Sequence, residues 1–280
     1  MEKKILLKGG SLSKTYREGN KVIKTISLTD EREYGYVRWY SQQKKMQKYV
    51  DLYPELFPKI YNIENSELEA EIQMEYMEGF KDIKTVFQQE ELSLEELNKI
   101  NDSIWEGFNK LHSNNFHSID GLGNLYFQEE VVQKINDALS ASEDFRNFYE
   151  FKIYNLDNNE ISGFQVYKNL LSNFFKKLKL EKEELIFGNP TLENILYSFE
   201  ENRSVFIDLY EESILDSKYL DYSMVLQCSN SYYGYLNDNE LFVEKNYISH
   251  NLEIPTNFKN FNSLFCNKLD KKDIELIKVL

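Results

Sequence analysis

Two cysteines in 280 residues, Cys228 and Cys266, with no CxxC spacing between them, exclude a disulfide framework or a cysteine zinc site and suit a reducing cytosol. Proline (4) and glycine (11) are scarce, so no flexible linker announces a domain boundary. No stretch approaches the roughly 18 apolar residues of a membrane span. The apolar run in "MEKKILLKGGS" is too short for a secretory signal. Positive charge is in deficit: 33 Lys and Arg face 47 Asp and Glu, for a formal net charge of −14. Such a chain repels nucleic acid and anionic membrane on average, so neither is an expected partner and the expected location is cytoplasmic.

Aromatic and other apolar residues are abundant. The 20 Tyr, 19 Phe and 41% hydrophobic content describe a globular chain with enough material for a sizeable core. "KILLKGG", "SKTYREG" and "KVIKTISL" read as three short strands, the last two joined by the turn Glu18-Gly19-Asn20-Lys21. "LTDEREYGYVRWYSQQKKMQKYV" reads as a helix capped by Thr29 or Asp30, with Val37, Trp39 and Tyr40 on its apolar face. "LFPKIYNIE" and "LEAEIQMEYMEG" complete about five strands in the first 78 residues.

Helical periodicity then takes over. It shows in "SLEELNKINDSIWEGFNKLHSNN", "EEVVQKINDALSASEDFRNFYEFKI" and "GFQVYKNLLSNFFKKLKL". The short strand-like pieces "ELIFG", "NILYSF" and "SVFIDLY" interrupt it, and "YLDYSMVLQCSNSYYGYL", "FKNFNSLFCNKL" and "KKDIELIKVL" resume it. The expected class is α+β with two lobes: a small β-rich N-lobe over 1–78 and a larger helical C-lobe over 79–280, dividing near Gly79.

Four features converge on phosphate chemistry. In "KGGSLSKTY", Gly9, Gly10, Ser11 and Ser13 form a turn whose backbone N–H groups can cover phosphates. Lys24, on the third strand, can hold phosphate oxygens as a point charge. Glu33, on one helix face with Val37 and Tyr40, can turn inward to fix that lysine, and Glu31 is its rival. In "FGNPTLENILYSFEENRSVFIDLYEE", a hairpin would set Asn194 beside Asp208, where both reach one metal.

In this order the features resemble the aminoglycoside phosphotransferase and choline kinase branch of the protein-kinase-like fold, over most of the chain. The catalytic loop of that family, H-G-D-x-x-x-x-N, corresponds here to Phe187-Gly188-Asn189-Pro190-Thr191-Leu192-Glu193-Asn194. Its I-D metal motif corresponds to Ile207-Asp208. "MEYMEG" resembles the lobe-joining hinge, implying adenine contacts at the Glu75 carbonyl and the Met77 amide. "LDYSMVLQ" resembles the later segment in which an Asp, here Asp221, steadies the site.

The resemblance implies a transferase using ATP or another NTP with Mg²⁺, acting on a small hydroxylated acceptor. Asn189 stands where the family has its Asp base, and an amide orients a hydroxyl without taking its proton, so the expected enzyme is slow. Glu193 and Glu211 are possible substitutes for the base. The acceptor is expected among segments near 115–170 and 215–250, as a sugar or as a cation caged by the aromatics of "NSYYGYL" and "FRNFYEF". Two other readings stand beside this one: a pseudokinase that binds nucleotide and works through a protein partner, and an unrelated α+β protein whose turns mimic the motifs.

Overall fold

The computed structural model describes residues 4–7, 13–27, 33–112, 116–178, 181–183, 185–211, 214–239, 241–249 and 252–278, with backbone alone for 33–35, 116–118, 181 and 183. It is α+β, with a β-rich N-terminal region followed by a mainly helical C-terminal region. The N-terminal elements are β1 (Ile5–Leu7), β2 (Lys14–Glu18), β3 (Lys21–Ser27), α1 (Glu33–Leu52), β4 (Ile60–Asn65) and β5 (Glu69–Glu75). The strands form one antiparallel sheet in the order β1-β2-β3-β5-β4. Gly19, at φ 59°, makes the tight β2–β3 turn in which Glu18 pairs with Lys21.

The inward face of α1 is not the expected one. Val37 and Tyr40 are 59% and 43% exposed, whereas Trp39 is 4% exposed. Trp39 packs with Ile26, Ala70 and Ile72 of the sheet. The buried stripe therefore runs Trp39, Gln43, Met46, Tyr49, because the larger indole gains more from burial than Val37 and sets the helix rotation. The cap expected at Thr29 or Asp30 lies outside the described residues.

The chain crosses over through Gly79 (φ 79°) into β6 (Lys81–Asp82), α2 (Ile83–Gln89) and α3 (Leu94–Leu111). Ser93 and Glu96 cap α3 reciprocally: the Ser93 hydroxyl accepts from Glu96 N at 3.2 Å, and Glu96 Oε2 accepts from Ser93 N at 2.8 Å. Ser93→Ala is expected to cost about 1 kcal/mol in urea unfolding.

Next come β7 (Phe116–Ser118), α4 (Leu122–Tyr126), a π-helical stretch (Phe127–Gln133), α5 (Lys134–Ala141), α6 (Glu143–Tyr149), β8 (Ile153–Leu156), β9 (Asn159–Ser162), α7 (Phe164–Lys177) and β10 (Glu181–Glu183). The helix expected over 129–153 is broken at Ser142, which turns extended and caps α6 by accepting from Phe145 N. The β8–β9 hairpin turns at Asp157 and Asn158, both at positive φ.

The remaining elements are β11 (Ile195–Ser198), β12 (Arg203–Phe206), α8 (Lys218–Ser229), α9 (Tyr233–Asn237), β13 (Phe242–Glu244), β14 (Tyr247–Ser249), α10 (Thr256–Cys266) and α11 (Lys271–Ile277). The helix expected over 219–236 is interrupted by Tyr232, whose φ of 56° cannot continue it. "ELIFG" is not one strand: β10 ends at Glu183 and pairs with β7, and residues 185–188 run as loop.

The main core is aromatic. Phe206 contacts Phe57, Phe108 and Phe187 at ring-centroid separations of 6.3, 5.7 and 5.2 Å. A Cβ on Gly107 would lie 2.4 Å from the Phe206 ring, so α3 approaches β12 at a distance that only glycine permits. This packing fixes the loop before β11 against α3 and against Phe57, which follows α1.

Candidate active site

A cleft of about 930 Å³ opens between the N-terminal sheet, α1, α2 and the β11–β12 hairpin. Lys24, Glu75, Met77, Asn189, Asn194 and Asp208 all line it. Sequence positions up to 184 apart are thereby gathered: Lys24 Nζ donates to Asp208 Oδ1 across the cleft. Of the other expected residues, Ser13 is described but does not line the cleft. Gly9, Gly10, Ser11, Glu31 and the Glu33 side chain lie outside the described residues.

The loop from Phe187 to Asn194 is held mostly through its backbone. Thr191 N donates to the Asn189 carbonyl at 2.8 Å, and Asn194 N to the Thr191 carbonyl at 2.8 Å. Asn194 Nδ2 donates to the same Asn189 carbonyl at 3.0 Å. Ile207 N donates to the Asn194 carbonyl at 2.9 Å. The β11–β12 register, with Ile195 opposite Phe206, thus places Asn194 next to Asp208. Asp208 itself sits at φ 59°. The left-handed region is one that Asp and Asn enter more readily than other side chains.

Asp221, fully buried, clamps the start of the loop. Its Oδ2 accepts from Phe187 N at 2.9 Å and from His112 Nε2 at 2.9 Å, and its Oδ1 accepts from Gly188 N at 2.6 Å. Phe187, where the resembled family has histidine, stacks on Phe57 and packs at a tilt against Phe206. The imidazole in this region comes instead from His112, just beyond α3, whose other nitrogen lies 3.3 Å from the Tyr222 hydroxyl. Nothing in "KLHSNN" distinguished His112 from a solvated helix-end residue, because its partners are more than 100 positions away. Gly188 is at φ 87°, and a Cβ there would come within 3.1 Å of Tyr210.

The far wall carries an ion cluster that sequence reasoning missed. Lys84, buried in the first turn of α2, lies 2.7 Å from both Glu193 and Asp238 and donates to the Gly234 carbonyl at 3.3 Å. Burial works to lower the Lys84 pKa, but the hydrogen bonds that Lys84 donates to Asp238 and Glu193 outweigh it and raise the pKa, so the ammonium persists. Among the described lining residues, five carboxylates face three lysines, so the cleft is negative on balance.

Of the two possible surrogate bases, Glu193 lines the cleft but is engaged by Lys84. Glu211 does not line it; Arg38 Nε holds it at 2.9 Å, with Gln42 behind. Tyr233 and other residues of 224–238 line the cleft, but none of the described residues of 115–170 does. The "FRNFYEF" rings instead pack with Tyr154 and Phe164. Cys228 is no nucleophile: burial pushes its thiol up to about 11.

No group of three or more His, Cys, Asp and Glu among the described residues could hold a metal. One carboxylate, Asp208, and one amide oxygen, from Asn194, nevertheless suit a magnesium ion that arrives with phosphate oxygens, since such ions take only one or two protein ligands. No described helix is long and apolar enough to cross a membrane. Comparison with known protein families finds no match, and comparison with curated proteins finds none either.

Proposed function

We propose that the protein is a nucleotide-dependent phosphotransferase of the protein-kinase-like fold, acting on a hydroxyl group of a small molecule. The observation that carries this reading is the meeting of Lys24 and Asp208 within a cleft that also holds Asn189 and Asn194. A lysine that can release a carboxylate to a metal and take phosphate in exchange is what phosphoryl transfer requires.

In this reading Lys24 holds the phosphates, while Glu75 and Met77 border the base. Asp208 and Asn194 would hold Mg²⁺, which supplies charge neutralisation when bound. Asn189 orients the acceptor hydroxyl but leaves its proton to solvent, so turnover is slow. The negative cleft suits a cationic acceptor. A sugar hydroxyl satisfies the same chemistry.

A second reading has its own support. Neither Glu193 nor Glu211 is free to replace the missing base, which favours a pseudokinase that binds nucleotide without turnover and acts through a protein partner. Both readings predict a nucleotide site, and thermal melting with ATP and Mg²⁺ tests it. At about 100 times Kd, a ligand stabilises by roughly 2.7 kcal/mol. That corresponds to a Tm increase of roughly 5–10 °C. The shift should vanish without Mg²⁺ and in Asp208→Ala. No shift at millimolar ATP would reject both readings and leave an α+β protein of other function.

A further inference from the structure

Trp39 Nε1 and Gln43 Nε2 are buried N–H donors with no hydrogen-bond partner among the described residues, and both side chains line the cleft. They stand one turn apart on the inward face of α1. Lys24 Nζ lies 5.8 Å from the centroid of the Trp39 ring. Thr191, within the loop joining Asn189 to Asn194, adds a third cleft-lining side chain whose buried hydroxyl has no hydrogen-bond partner among the described residues. Native proteins pair nearly all buried polar groups, and three of the seven unmet side-chain atoms among the described residues belong to residues that line this one cleft. Donors grouped beside an ammonium select an acceptor-rich anion.

We propose that α1 provides a phosphate-binding wall, with the Trp39 indole N–H and the Gln43 amide holding phosphate oxygens together with Lys24. This deepens the nucleotide reading above and rests on it. It also accounts for the pairing of Lys24 with Asp208: the described inward face of α1 offers it an indole and an amide rather than a carboxylate. An anion entering the cleft would draw Lys24 toward the α1 donors and release Asp208.

The test is isothermal titration of the full chain with inorganic triphosphate plus Mg²⁺, and separately with adenosine. The variants are Trp39→Phe, Gln43→Leu and Gln43→Glu. Loss of one hydrogen bond to a charged oxygen should weaken triphosphate binding about tenfold in each of the first two. Gln43→Glu should weaken it further through repulsion, and adenosine should bind all four proteins alike. Triphosphate binding within about twofold of wild type in both neutral variants would overturn the proposal, as would tighter binding by Gln43→Glu. Parallel loss of both ligands in all three variants would overturn it too, by showing a purely structural role. If wild type bound neither ligand, the nucleotide reading itself would fall; if wild type bound both and the variants matched it, only the α1 wall would.

Discussion

Asp221→Ala is expected to destabilise the protein by about 3–5 kcal/mol, the range for removing one member of a buried charge network. Asp221 is fully buried and accepts three hydrogen bonds, from Phe187 N, Gly188 N and His112 Nε2. Alanine leaves all three donors without an acceptor in a place water does not reach. Each such orphan costs roughly 1–3 kcal/mol, less whatever relaxation recovers. At about 2–4 °C per kcal/mol, Tm should fall by roughly 6–20 °C. Asp221→Asn should cost less than Ala, since its amide keeps one acceptor oxygen, but it sets an NH₂ against a donor. A loss below about 1 kcal/mol for Ala in urea or thermal unfolding would mean the loop is held by its aromatic packing alone. The variant should also bind nucleotide poorly, because Gly188 N is the last anchored point before Asn189.

Local patterns made some of this structure legible. The five strands of the first sheet, the β2–β3 turn and the helix after them follow alternation, Gly19-Asn20 and a charged helical stretch, all carried by adjacent residues. The hairpin spacing brought Asn194 to Asp208, and the resemblance to the kinase-like family implied that Lys24 and Asn189 would join them in one cleft. The rotation of α1 was not legible. Val37, Trp39 and Tyr40 are compatible with more than one buried face, and the choice is made by Ile26, Ala70 and Ile72 on strands distant in sequence. The Lys84 cluster was hidden for the same reason: Glu193 and Asp238 lie more than 100 positions from it. The β8–β9 and β13–β14 hairpins turn on Asp157, Asn158 and Lys245 at positive φ. Of these, only Asp-Asn is a turn signal.

Asn189→Asp is expected to raise the rate of phosphoryl transfer by about 10²–10⁴-fold, the usual worth of a general base. The substitution is nearly isosteric, and the loop uses the backbone carbonyl of residue 189 rather than its side chain, through Thr191 N and Asn194 Nδ2. The fold should therefore be unchanged, and what changes is the ability to take the acceptor proton. One further carboxylate in a cleft already rich in them raises repulsion toward nucleotide phosphates, so nucleotide affinity should fall while the maximal rate rises. Metal-dependent nucleotide consumption would be followed against sugars, amino alcohols and aminoglycosides, for wild type, Asn189→Asp and the double variant with Asp208→Ala. Slow wild-type turnover, accelerated by Asn189→Asp and abolished in the double variant, would establish an enzyme whose limit is proton removal. Nucleotide binding by all but the double variant, with no turnover from any, would assign the cleft to a binding module. The missing base would then be one of several losses, since its restoration alone would not revive transfer.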